Sequence, residues 1–282
     1  MQIQINQLFD QVHNIPRIPE VVRALITQFN DPKTDFNAIT KNIEKEQVIA
    51  LKVLRLVNSA HFGLSRKVGT IQEAVTMMGL NQLRVLVIAC GMVNSVPKID
   101  GINIKHFWET SFRTATYAKW LAAESKQAPD LAFTAGLISS LGNILIHMGA
   151  PNAAAEIDQH VKTGHQSRST LEINRLGFTS ADVCAELCRR WHFSEELIKT
   201  VAECDAPLKT DDPYLPACIV YLARYLSESM AANLSPKEIY TAFPFSVAAK
   251  LGLSELFIED NLQTILGLDS GLDGLVDERI AA

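Results

Sequence analysis

Residues 132–146 read AFTAGLISSLGNILI, and how these positions are read decides the fold. Apolar side chains fill both flanks, while Gly136, Ser139, Ser140 and Gly142 keep the middle small. An apolar run of this length reads as one helix buried on most of its sides. Two adjacent serines in such a helix let neighbouring helices come close, with their hydroxyls turned back to the carbonyl four residues earlier. Gly142 marks a second place of close backbone packing. A hydroxyl is neutral at pH 7 and a poor donor for transition metals, which prefer imidazole, thiolate or carboxylate. The stretch therefore predicts helix packing and no metal ligation.

Working outward, helical periodicity runs through the rest of the chain. Val21, Val22, Leu25, Ile26 and Phe29 form an apolar stripe that Asn30-Asp31-Pro32 ends. Helices are expected over residues 36–45 and 48–57. Thr70 and Glu73 have capping-box spacing ahead of a short helix that Gly79 stops. Residues 80–96 read as a strongly apolar helix; their Val and Ile content also permits a buried strand, and length favours the helix. Pro97, Asp100 and Gly101 give a connector. Beyond it the pattern predicts helices over 104–124, 153–161, 168–175, 180–191 and 195–204, then a long one reaching about Met230. The tail adds 235–243 and 254–266, each opened by a serine. No stretch reads securely as a strand, so the fold class is all-α. We divide it into an N-terminal helical lobe over 1–100, a second helical lobe over 101–232 and a helical extension over 233–282.

The 282 residues, 48% of them hydrophobic, suffice for a large core. A formal net charge of −5 argues against a general nucleic-acid binder, because such affinity rests on clustered Lys and Arg. The basic pairs Arg66-Lys67 and Arg189-Arg190 read as solvated. The first residues lack the basic and apolar regions of an export signal. Arg84 and Asn94, and then Ser139, Ser140 and Asn143, interrupt the longest apolar runs, so no membrane span is expected. Five cysteines without CxxC spacing read as reduced thiols in the cytoplasm.

Three ordered motifs, IPRIPEVV at 15–22, LKVLRLVNSAHFG at 51–63 and TIQEAVTMMGLNQLRVLVIA at 70–89, together resemble the HDOD family. This HD-related output domain is associated with bacterial signalling proteins. The 132–146 stretch is similar to the signature helix of the wider HD superfamily of metal-dependent phosphohydrolases. The resemblance extends over roughly residues 5–230. It implies that the four metal-ligand positions fall at Thr110, in FWETSF, at Ser139 and Ser140 in place of the His-Asp pair, and at Arg224 in YLARYL. None of these supplies the usual donor. A guanidinium near the cation position adds opposition of roughly 4 kcal/mol per unit charge at about 4 Å in an intermediate dielectric.

Other constellations point less far. Cys184, Cys188 and His192 are four apart and form a stripe that suits zinc or an oxidant sensor, or simply a core face shared with Val183, Leu187 and Trp191. Asn58 and Ser59 suit either ligand recognition or a helix end. Glu203 and Asp205 flank Cys204, leaving a different metal site open. We therefore expect no catalytic residues, no metal and no cofactor, and vestigial site positions at Thr110, Ser139, Ser140 and Arg224. Through the resemblance we expect a regulatory module that binds a signalling protein or a small signalling molecule. Neither nucleic acid nor membrane is an expected partner. A divergent phosphohydrolase acting on a nucleotide or cyclic nucleotide is the alternative.

Overall fold

In the computed structural model of the chain, residues 4–11, 22, 36–58, 66–80, 83, 86–88, 90–91, 99, 101–164 and 166–268 are described. They contain fifteen helices and, among these residues, no strand. The stripe at 21–29, most of 80–96 and the connector at 97–100 lie largely outside the described residues.

Local chemistry sets the helix ends. After α1 (Ile5–Gln11), helices α2 (Phe36–Lys45) and α3 (Gln47–Val57) follow one another across Glu46 and pack together. Helix α4 (Ile71–Met78) starts at Thr70, whose hydroxyl accepts from the Glu73 amide, and ends at Gly79 with φ 83°. Glu73 reaches back to the Gly69 amide at 2.8 Å, one residue short of a true capping box. The longest helix, α5 (Ile104–Glu124), is opened by the Asn103 side chain accepting from the His106 amide.

Helix α6 (Pro129–Ile138) folds back on α5 and packs so closely that a Cβ at Gly136 would lie 2.9 Å from the Ala115 Cα. The sequence predicts one helix through 132–146; the structure breaks it at Ser139-Ser140 and resumes as α7 (Leu141–Gly149). Ser139 donates to the Gly136 carbonyl at 3.0 Å, three residues back rather than four, and Ser140 caps nothing through its side chain. The break lets α7 turn onto α10 (Ser180–Arg190), where a Cβ on Gly142 would sit 1.8 Å from the Ser180 carbonyl oxygen. Residues Pro129–Gly149 taken together are long and apolar enough to cross a membrane by length and composition alone, but 72% of their most apolar window is buried inside the fold, as in a core helix.

The remaining helices are α8 (Pro151–Thr163), α9 (Arg168–Leu176), α11 (Glu195–Glu203) and α12 (Leu215–Ala231). Thr179 and Asp182 close a complete capping box on α10. One core joins α1, α2, α3 and α4 to the middle of the chain through Leu8, Ile43, Val53, Trp108, Phe112 and Ile144, among others. A second core holds Tyr117 and Leu121 of α5 and Leu222 and Leu226 of α12 under α13 (Pro236–Thr241), α14 (Phe245–Lys250) and α15 (Glu255–Leu266). Periodicity missed α14, whose single apolar turn follows Pro244. Helix α1 lies across the second half of the chain, with Leu8 against Gly149 and the Arg190 guanidinium 4.2 Å over the Phe9 ring.

Replacing Gly142 by Ala must push α7 away from α10, because the atom met is backbone. We expect a loss of about 3 kcal/mol, whereas Gly69→Ala, whose Cβ would meet only the Glu73 carboxylate at an ordinary 3.7 Å, changes stability by less than about 1 kcal/mol. Urea midpoints of the two variants check the difference.

Candidate functional site

Three of the four positions expected from the resemblance, Thr110, Ser139 and Arg224, lie on helices that pack together, α5, the end of α6 and α12. Antiparallel contact of Gly136 with Thr114 and Ala115 carries Ser139, one turn further on, alongside the 110–111 turn of α5. Ser227 of α12 donates to the Thr110 carbonyl at 2.9 Å, and Arg224 lies one turn before it. Ser139 is 2% exposed. Ser140 is half-buried at the break.

The side chains at these positions do not make a cation site. Thr110 Oγ1 and Ser111 Oγ are buried without a hydrogen-bond partner. Arg224 donates through Nη1 to Asp205 and, at 3.6 Å, to Cys204 Sγ. Burial by itself lowers the guanidinium pKa; the Asp205 carboxylate more than offsets this and holds it well above the ordinary value. Cys204 is fully buried, which pushes its thiol up to about 12. Among the described residues, no group of three or more His, Cys, Asp and Glu is placed to hold a metal ion. Neutral hydroxyls and a paired guanidinium do not fit a divalent metal, which needs anionic or imidazole donors.

Next to Arg224 stands a network that sequence reasoning missed. Glu172 has no exposed surface; its carboxylate accepts from Arg168 Nε at 2.8 Å and from the Ser180 amide at 2.6 Å. Arg168 also donates to Asp158 at 2.7 Å and to the Asn143 side chain at 2.5 Å. His147 joins Asp158 at 2.9 Å and the Asn143 carbonyl at 2.8 Å. One arginine thus ties α7, α8, α9 and the start of α10. The Arg168–Glu172 spacing of four was a readable helix pair; its distant partners carry no local signal.

The other expected site residues serve structure. Asn58 donates to the Leu54 and Val68 carbonyls at 2.8 and 2.7 Å and accepts from the Val68 amide at 2.7 Å, clamping the end of α3 to the segment before α4. Its amide is fully used, so helix termination describes it better than ligand recognition. Ser59 lies outside the described residues. Cys184 and Cys188 are fully buried, and Cys184 donates to the Ile138 carbonyl at 3.1 Å. His192 is exposed at φ 58°, turned off the cysteine stripe by the left-handed residue that ends α10. Asp205, the flanking carboxylate, is committed to Arg224.

Around these groups lie two adjacent hollows. A cleft of about 200 Å³ runs between the start of α9 and the face of α12 that carries Tyr221, Arg224, Tyr225 and Glu228. A groove of about 650 Å³, walled by Ile173, Ala202 and Pro207 among others, shares Ser169 and Asp205 with it.

Removing Arg168 leaves Glu172 buried without its counter-charge, so Arg168→Met is expected to cost about 3–5 kcal/mol. The pH dependence has a definite sign. Burial raises the Glu172 pKa, only partly offset by the Ser180 amide and Arg168, so its contribution is complete below the ordinary Glu range and is lost as pH rises through the folded value. For Asp158, burial acts upward but the bonds from His147 and Arg168 prevail and lower the pKa; that contribution is present above the ordinary Asp range and is lost as pH falls through the folded value. Chemical denaturation across pH should therefore show a weaker acid-side loss in Asp158→Asn and a weaker fall toward neutrality in Glu172→Gln.

Comparison with known proteins agrees with this architecture. The HDOD domain matches residues 15–207. A crystal structure from Shewanella amazonensis SB2B, named provisionally as a phosphohydrolase, is 26% identical and superposes with a TM-score of 0.80 over 96% of this chain and 97% of that one. An HDOD domain protein of unknown function from Geobacter sulfurreducens is 21% identical, with a TM-score of 0.75 over 97% and 96% of the two chains. An uncharacterized protein of Treponema pallidum (strain Nichols) is 24% identical over 194 residues, 68% of this chain and 38% of that protein. The chain thus spans well under half the length of that curated relative. The matched segment covers most of the sequence, and on that ground the chain belongs to the HDOD family.

Proposed function

We propose that this chain is a non-catalytic, regulatory signal-transduction module that works in the cytoplasm by binding a signalling protein or a small signalling molecule. The observation that carries the reading is the chemistry at the four inherited positions: three hydroxyls, and a guanidinium bonded to Asp205. Hydrolytic metal chemistry lowers the pKa of a bound water and polarises a phosphoryl oxygen, and both depend on an ion held in place. These side chains offer that ion no anionic donor, and Arg224 opposes it electrostatically. The phosphohydrolase name of the Shewanella relative is therefore not carried over to this chain. Five free, buried cysteines accord with a reducing compartment.

A bundle with two cores and a cleft at their junction suits regulation. A ligand that prefers one arrangement of α9, α11 and α12 shifts the population toward it. The proposed parts, 1–100, 101–232 and 233–282, would then move by small displacements across shared helices.

Elemental analysis of the native protein tests the reading, together with phosphodiester and nucleotide hydrolysis assays with and without a chelator. We expect no stoichiometric iron, manganese or zinc, no phosphate release, and a melting temperature that the chelator leaves unchanged. A tightly held transition metal with chelator-sensitive hydrolysis would overturn the reading.

A further inference from the structure

The open edge of Arg224 points to a ligand. A guanidinium binds planar or tetrahedral oxyanions best through two parallel N–H donors. Here Nη1 is engaged by Asp205 and Cys204, while Nε is buried with no hydrogen-bond partner. Glu228 approaches Nε only to 3.7 Å, beyond hydrogen-bond reach, and its side chain is 64% exposed. Buried charged donors are ordinarily satisfied, and an Nε held only by this loose ion pair favours an acceptor that can displace Glu228 from it. Arg168 lines the same cleft from α9 and remains 24% exposed despite its bonds to Asp158 and Glu172.

We propose that the cleft binds the phosphate of an organic phosphate monoester. Phosphate oxygens meet the Nε edge of Arg224 and the exposed face of Arg168, and the organic body lies along the Tyr221 ring and into the adjoining groove. The proposal deepens the regulatory reading and rests on it. Size and lining support this class of ligand over a bare anion: the cleft of about 200 Å³ takes the phosphate with its first attached group, and the groove of about 650 Å³ beyond it is walled mainly by apolar atoms. No bond is broken in the bound ligand; the site holds it.

Charge sets the regulation. Arg224 is balanced by Asp205 and Glu228, and Arg168 by Asp158 and Glu172, so an incoming dianion reaches Arg224 only in competition with carboxylates already paired to it. Asp205 therefore competes with the ligand for Arg224, and removing its charge must strengthen binding. A merely structural ion pair predicts no such gain.

The test is calorimetric titration of the full chain with inorganic phosphate, AMP and adenosine at fixed ionic strength. We expect AMP to bind more tightly than phosphate and adenosine not to bind. Asp205→Asn should tighten both anions about tenfold, as relief of a like-charge contact does. Glu228→Gln, on an exposed side chain, should act in the same direction by a smaller factor and keeps the test decisive should Asp205→Asn not fold. Arg224→Lys retains the charge and loses the fork, and should weaken AMP at least about tenfold. Arg175→Gln, which removes an exposed arginine paired with Glu156, should change nothing. The proposal is overturned if phosphate and AMP bind neither the native chain nor the carboxylate variants, if those variants bind no more tightly, or if Arg175→Gln weakens binding as much as Arg224→Lys. Failure here leaves the regulatory reading intact, whereas AMP hydrolysis by the metal-loaded chain would sink that reading and leave the binding site standing.

Discussion

Glu172 is a carboxylate with no exposed surface, and the helices around it are placed by the need to compensate it. An isolated buried charge is costly enough to unfold a domain of ordinary stability. Arg168 and the Ser180 amide meet that need, and in doing so they fix where α9 ends relative to the start of α10. Because Arg168 also holds Asp158 and Asn143, the same guanidinium sets α7 and α8. The close approach of Gly142 to Ser180 then follows: the amide that serves Glu172 belongs to the residue whose carbonyl faces the glycine. A polar hub and a glycine contact thus specify one joint between them.

The second cation of the region, Arg224, stands at the position that the sequence resemblance assigns to a carboxylate ligand. A metal ion organises its surroundings by drawing in several anionic donors. A guanidinium organises them by direction, taking one carboxylate on one edge and leaving another edge free. In this chain Asp205 occupies the first edge, and the hydroxyls of Ser139 and Ser227 are bonded to backbone while those of Thr110 and Ser111 are buried without a partner. The inherited bundle keeps its shape because its apolar packing is independent of the ion: Trp108, Phe112, Ile138 and Leu141 are all within 1% of full burial.

The sequence made the helical elements legible where local chemistry decides them. The bounds of α5 and α2 follow from apolar periodicity, with Asn103 capping α5, and Thr179, Ser235 and Ser254 mark helix starts through hydroxyls that accept a nearby amide. The break at Ser139-Ser140 was not legible, since serine is tolerated inside helices and the kink answers to α10, some forty positions away. His192 left its apparent stripe for a similar reason: spacing by four assumes a helix that continues, and this one ends at Arg190. The vestigial positions emerged from resemblance alone. What lies beside them, Asp205 on Arg224 and Arg168 on Glu172, required the tertiary fold.

The two charged groups are not independent, and their coupling links cleft to scaffold. The Asp205 carboxylate is among the influences that raise the Glu172 pKa, although burial is the larger cause. Any event that moves Asp205 or changes its charge therefore alters the field at Glu172, and through Arg168 the grip on Asp158 and Asn143. Burial amplifies this effect, because the interior screens charge far less than water does. Of the elements so joined, α9, the start of α10, the turn after α11 and α12 line the cleft. A change at one arginine in the cleft is thereby felt across the joint between its helices, with no need for chemistry to occur there.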